Sequence, residues 1–276
     1  MRYIVNHDLH IHSQLSSCSR DPEQTAARIL DYAVQNSFTD ICLTDHFWDP
    51  AVPGASSWYA KQDYNHVIQS LPLPKAEGVN FHFGCETEMD KHMTLAISDK
   101  MIDKFDFVIV PINHFHMRDF TIDEKDLAPE RRADTFVAHV MKLLNMDLPF
   151  HKMGIAHMCA SSIAGTCDES IRDHLGMFDL ISDDTFREIF ELAAKRGVGI
   201  ELNISAEVFE KYTPEETEKR FRMFKIAKKC GCKFYLGSDA HHPASFGKSL
   251  LRFNGAIDAL GLEESDKFDF GSIKKA

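Results

Sequence analysis

Asp8-Leu9-His10-Ile11-His12, Thr44-Asp45-His46, Gly84-Cys85-Glu86-Thr87-Glu88 and Ser238-Asp239-Ala240-His241 each follow directly on a strand-like apolar run. An H-x-H pair leaving a strand sends both imidazoles to the same side, where they can share one cation or bridge two. Buried imidazoles and carboxylates are costly unless paired or ligating. Clusters repeated at strand ends from residue 8 to residue 241 therefore predict a multinuclear metal site.

The runs that carry these clusters set the fold. Strands are expected at 3–9, 39–44, 80–85, 107–111, 153–157, 198–203 and 233–238. Helical periodicity fills the gaps between them. Asp21-Pro22 is expected to cap a stretch with Ala26, Ile29, Leu30, Ala33 and Val34 on one face. Thr213-Pro214-Glu215-Glu216 reads as a capping box ahead of Phe221, Phe224 and Ala227, closed by Gly231. Further faces run through Phe136, Val140 and Leu144, and through Phe186, Ile189, Phe190 and Ala193 before Gly197. Alternating strands and helices indicate a parallel sheet covered by helices. Since ligands from seven strand ends meet at one centre only if the sheet closes, the expected architecture is an α/β barrel of the TIM type, built by one domain over residues 1–276.

At the strand ends the ligand candidates are His10 and His12, His46, Glu86, His114, His157, and Asp239 with His241. Imidazole and carboxylate ligation with little sulfur suits zinc, manganese or iron rather than calcium or magnesium. Two or three such ions about 3.5–4 Å apart can hold a phosphate oxygen and acidify a bridging water, which is the chemistry of phosphoester hydrolysis.

Composition limits the alternatives. A formal net charge of −11 disfavours a partner as long as a nucleic-acid chain. Seven cysteines and an N-terminus without an apolar h-region suggest a reducing, cytoplasmic setting. No stretch approaches the roughly 18 apolar residues of a membrane span. Oligomeric state is not legible.

In order, D-L-H-x-H-S, T-D-H, G-x-E-x-E, N-H at Asn113-His114, G-x-x-H at His157, E-L-N at Glu201–Asn203 and G-S-D-A-H resemble the PHP (polymerase and histidinol phosphatase) family, over residues 3–242. The resemblance implies a distorted seven-stranded (β/α)7 barrel with a di- or trinuclear centre at its mouth. By position, His10, His12, Glu86 and Asp239 would hold one ion. Glu86 would bridge to a second ion on His114 and His157, while His46 and His241 would serve a third. Cys18, the sixth residue after His12, stands near where relatives supply a further third-site ligand. Asp8 and Asp45 are placed to orient imidazoles. Arg118, Arg20 and His242 are the favoured substrate contacts, with Lys152, Lys248 and Lys211 as further cations. Other histidines, including His82 and His92 as strand residues, are expected to be structural. The function implied is hydrolysis of a small phosphomonoester, histidinol phosphate being the substrate the resemblance suggests, by a metal-bridging hydroxide and without a side-chain nucleophile. The alternatives are a nucleotide phosphodiesterase or nuclease of the same family and a non-catalytic metal-binding regulator.

Overall fold

A computed structural model describes residues 1–158, 176–205 and 207–269. Seven parallel strands, β1 (His7–Ile11), β2 (Asp40–Leu43), β3 (Asn80–Glu86), β4 (Phe107–Pro111), β5 (Met153–Ala156), β6 (Gly199–Leu202) and β7 (Lys233–Leu236), pair in sequence order. They curl into a nearly closed barrel, with helices Ala26–Gln35, Pro129–Leu144, Asp183–Arg196 and Pro214–Lys229 among those connecting them and Ser249–Leu260 following β7. Every C-terminal strand end consequently opens on one mouth.

Apolar residues from both sides of the strands account for the packing. Leu9, Cys42, Phe107, Ile109, Ala156 and Tyr235 form a small interior cluster. The larger cluster lies between strands and helices, where Ile29, Phe136, Phe186, Phe190 and Phe224 are buried. Helix ends follow local chemistry. Thr213 and Glu216 form the reciprocal capping box, and Gly197 closes its helix at φ +74°. The first helix departs from expectation: its cap is Thr25, whose side chain accepts from Arg28 N–H, while Asp21 instead accepts from Glu23 N–H at 2.9 Å in the preceding turn.

The first strand begins later than its apolar run. Tyr3 N–H bonds to the Leu262 carbonyl and its hydroxyl to the Phe234 carbonyl, so this residue is tied to β7 and the segment after the last helix rather than pairing with β2. His92 lies in a turn, its N–H donating to Asp90, whereas His82 is a strand residue paired with Asp40 at 2.9 Å. Among the described residues no helix is long and apolar enough to cross a membrane.

Closure between β1 and β7 relies on side chains. Leu236 N–H donates to His7 Nε2 at 3.1 Å and Ser238 N–H to Asp8 Oδ1 at 2.9 Å. Beyond them the backbones meet, through Asp239 N–H to His10 O at 2.7 Å and His12 N–H to Ala240 O at 3.1 Å. Asp8 also accepts from Tyr32 Oη and His10 N–H, so it fastens backbone at the seam and orients no imidazole directly. Burial, opposed by these hydrogen bonds, lifts its pKa to about 6.

Burial, with Lys267 nearby, lowers the His7 pKa to about 3. In the unfolded chain the same group takes a proton near 6.5. Between those values the unfolded state holds the extra proton, so the His7 contribution to stability is full above about 6.5 and falls with decreasing pH, by about 1.4 kcal/mol per pH unit. A His7→Gln variant retains an acceptor for Leu236 without titrating. Its urea midpoint should decline less steeply than that of the parent between pH 6.5 and 4.5; parallel declines would refute this account of the seam.

Candidate metal centre

The mouth brings the eight ligand candidates into one cluster. His10 Nε2 lies 3.0 Å from His12 Nε2. Glu86 Oε2 is 3.6, 3.2 and 3.0 Å from His10 Nε2, His12 Nε2 and His46 Nδ1, while Glu86 Oε1 is 3.0 Å from His157 Nε2 and 3.9 Å from His114 Nε2. Asp239 Oδ1 reaches His12 Nε2 at 3.2 Å, His10 Nε2 at 3.4 Å and His241 Nδ1 at 3.5 Å. Ring centroids of His12 and His241 stack at 4.1 Å.

Local backbone explains how the side chains converge. One extra residue sits in β1 between Asp8 and Ile11 where the register against β2 shifts, a bulge beside His10. At the ends of β5 and β7, His157 and Asp239 take left-handed conformations, with φ of 26° and 53°. Such backbone is sparsely populated outside glycine and concentrates at functional sites. Asn113 restrains the first of these, its amide donating to the carbonyls of His157 and Met158.

Outer hydrogen bonds fix the tautomers. His10 Nδ1 faces Glu201 Oε1 at 2.7 Å, and His114 Nδ1 faces Glu88 Oε2 at 2.8 Å. His157 Nδ1 faces Asn113 Oδ1 at 3.1 Å, and His241 Nδ1 faces the Asp239 carbonyl at 2.9 Å. His12 Nδ1 meets Ser16 Oγ at 2.8 Å, and since that hydroxyl donates to Asp45 Oδ1 it accepts from the ring. The acceptors facing His10, His12, His157 and His241 therefore require an Nδ1–H, which leaves Nε2 lone pairs for the centre, and Glu88, whose carboxyl pKa burial raises to about 8, asks the same of His114 once it is ionised.

Lone pairs and carboxylates facing one another at 3.0–3.6 Å require positive charge between them. Ligands about 2.0–2.1 Å from a tetrahedral ion stand about 3.3 Å apart, so the spacing suits a metal. His46 Nδ1 and Glu86 Oε2, though close, form no hydrogen bond of acceptable geometry and are both buried. Three groups have ligand atoms close enough to hold an ion: His10, His12 and Glu86; Glu86, His114 and His157; and His12, His46 and His241. The donor set thus fits metal ions, and Glu86 is shared between two groups.

Protonation shows the same demand. For His12, burial lowers the pKa but the bonds to Asp239 and Glu86 outweigh it, bringing it to about 9. His10 rises well above its usual value despite burial, through Glu201, Asp239 and Glu86. Burial brings His114 and His241 down to about 4. Glu86 is held far below the carboxylate range, burial being overcome by His46 and His10.

Glu201, Glu88, Ser16 and Asn113 complete the shell; the first two and Asn113 fall within the recurring motifs, whereas Ser16 lies outside them. Glu201 stands out as a carboxylate inside the apolar run of β6; it accepts from both His10 Nδ1 and His157 N–H. A Cβ at Gly237 would collide with Glu201 and come within 2.7 Å of the His10 Cβ, so the glycine admits this carboxylate.

A cavity of about 640 Å³ opens above the cluster, lined by His46, Glu86, His114, His157, Asp239 and His241 together with Cys18, Ser56, Trp58, Tyr59, His116, Met117 and Phe120. Cys18, exposed at the rim, joins none of the three groups. Arg118 does not line the cavity: Asp119 adopts φ 57°, and Arg118 pairs in solvent with Glu124 at 3.1 Å. Arg20 and His242 are exposed outside it. Lys152 binds the carbonyls of Ile102 and Phe105, and Lys248 pairs with Glu210.

A parallel barrel with a buried histidine and carboxylate cluster at its mouth has the make-up of a metal-binding barrel protein. The PHP domain profile matches residues 8–205, and the chain belongs to that family. Its fold resembles that of histidinol phosphate phosphatase (HisK) from Lactococcus lactis subsp. lactis, solved with zinc, L-histidinol and phosphate, at 18% identity and a TM-score of 0.59 over 96% of this chain and 98% of that one. Ochratoxinase from A. niger aligns with a TM-score of 0.43 and 13% identity over 96% of this chain and 68% of that one. No curated protein sequence matches.

Loss of an outer partner should weaken metal binding by about 10–100-fold. Glu201→Gln and Asn113→Leu are expected to show this in competition against a fluorescent chelator, with unchanged far-ultraviolet circular dichroism. Parent-like affinity in both would remove the orienting role assigned to these bonds.

Proposed function

We propose that this chain hydrolyses a small phosphomonoester with the aid of two or three divalent transition-metal ions at the barrel mouth. The observation that carries the reading is the sharing of Glu86: one carboxylate, fully buried, faces His10, His12 and His46 through one oxygen and His114 and His157 through the other. A carboxylate so placed suits a bridge between adjacent ions. His10, His12 and Asp239 would complete one position, His114 and His157 the second, and His46 with His241 the third, Cys18 remaining outside. Zinc, manganese or iron fits these donors.

Bound ions would supply Lewis acidity toward the phosphate oxygens and lower the pKa of water toward neutrality. The chain's own residues set the stage. Glu201, Glu88, Asn113 and Ser16, backed by Asp45, keep the imidazoles in the ligating tautomer. The aromatic loop carrying Trp58 and Tyr59 shields one side of the cluster from solvent. No lysine or arginine lines the cavity among the described residues, so phosphate neutralisation would fall to the ions and the imidazoles around them. A volume of about 640 Å³ lies in the range of small-molecule sites, which favours a monoester over a polymer end. Family membership and the fold shared with a histidinol phosphate phosphatase support the reaction class, and histidinol phosphate is the first substrate to test.

Elemental analysis should find two or three transition-metal ions per chain, with turnover of p-nitrophenyl phosphate lost on chelation and restored by metal. His10→Ala and Asp239→Ala are expected to lower kcat/KM by at least about 10³-fold while leaving the chain folded. Parent-like turnover in both variants would defeat the proposal. Inorganic phosphate should bind only to the metal-loaded protein; equal affinity for the chelated form would place its recognition elsewhere.

A further inference from the structure

Beyond the metal cluster the cavity wall changes character. Trp58, Met117 and Phe120 form an apolar face with the buried Tyr59 behind them, interrupted only by Ser56 and His116 among the described residues. The face begins at the cluster itself: the Trp58 ring meets the His46 ring edge-on, with centroids 5.0 Å apart. It is also rigidly backed. Tyr59 packs against Trp58 at 4.7 Å and Phe120 at 5.7 Å, while Trp48 supports both Tyr59 and Phe120 at 5.5 Å. Two hydrogen bonds pin this support, Trp48 Nε1–H to the Val52 carbonyl at 2.9 Å and the Tyr59 hydroxyl to Glu88 at 3.0 Å.

Among the described residues this wall carries no carboxylate, lysine or arginine of its own. The carboxylates among the described lining residues are Glu86 and Asp239, and both are already committed to the imidazoles. An ammonium group on the substrate would find no carboxylate partner there among the described residues, only ring faces worth about 0.5–2 kcal/mol to a cation, and a polyol would find few polar partners. Desolvating charge without compensation is far more costly than burying a hydrocarbon. Rings, by contrast, gain edge-to-face contact with fixed aromatic neighbours.

We infer that the alcohol portion of the substrate is uncharged and apolar, an aromatic or short hydrocarbon group seated against Trp58, Met117 and Phe120, which distinguishes it from a cationic amino alcohol such as histidinol. This inference rests on the phosphomonoesterase reading but concerns a separate part of the cavity.

The test uses the metal-reconstituted full chain and three primary alkyl phosphates: 3-phenylpropyl phosphate, histidinol phosphate and glycerol 3-phosphate. Primary alcohols keep leaving-group chemistry comparable. The expected kcat/KM for the phenylpropyl ester exceeds both others by at least about tenfold, mainly through KM, and Trp58→Ala brings the ratio toward one. Phe120→Leu, which keeps the wall filled, should reduce the ratio partially and serves if Trp58→Ala does not fold. Histidinol phosphate or glycerol 3-phosphate turned over as well as the phenylpropyl ester would overturn the inference. Binding is read independently by tryptophan fluorescence with 3-phenylpropylphosphonate and 3-aminopropylphosphonate, which are not hydrolysed. At least about tenfold tighter binding of the phenyl compound supports the apolar subsite even if no ester is turned over, in which case the phosphatase reading alone fails. Equal affinities overturn the subsite whatever the turnover.

Discussion

Electrostatic frustration at the barrel mouth organises this molecule. Glu86, with no solvent exposure, and Asp239 face imidazole nitrogens whose opposite edges are tied to Glu201, Glu88, Asn113, Ser16 and a backbone carbonyl. Each outer bond commits a proton to Nδ1 and turns a lone pair inward. The arrangement is unfavourable until positive charge occupies the middle, and raised pKa values at His10, His12 and His157 show protons favoured there when no other cation is present. Divalent ions would remove the conflict more completely, since each can accept several lone pairs at once.

Much of this was legible in the chain because strand ends are local features. A parallel barrel delivers the residue after each strand to the same rim, so apolar runs ending in histidine or a carboxylate disclose both the architecture and the cluster. His10, His12, Glu86 and His157 follow that rule directly. The outer shell obeys no local rule: Glu201 reaches His10 across 191 residues, and its room depends on the missing side chain of Gly237. Arg118 shows the converse failure. It lies only four positions after His114, yet the left-handed turn at Asp119 leaves it in solvent beside Glu124. Proximity along a loop is a poor guide to direction.

Element boundaries failed for similar reasons. The run that opens the chain is apolar from Tyr3, but its first part packs beneath the barrel and bonds to Leu262, so strand pairing waits until His7. The helix expected to start at Asp21-Pro22 starts at Thr25, because the acidic side chain is used in the turn before it. The aromatic segment after His46 serves both as packing and as cavity wall. Trp48 and Tyr59 are buried as support, while Trp58 presents its face to the open space.

The β1–β7 seam has a consequence for the order in which the molecule is made. Its first strand and the residue after it supply His10 and His12, and the segment after the last carries Asp239 and His241, so half of the cluster joins chain segments more than 220 residues apart. Contacts of such separation form late, because loop-closure entropy must be overcome before they contribute anything. Until β7 docks, the early strands can expose histidines without assembling the full set. The metal centre would then act as a clasp that rewards only the finished ring, and tight ion capture during synthesis would have to wait for the final strand.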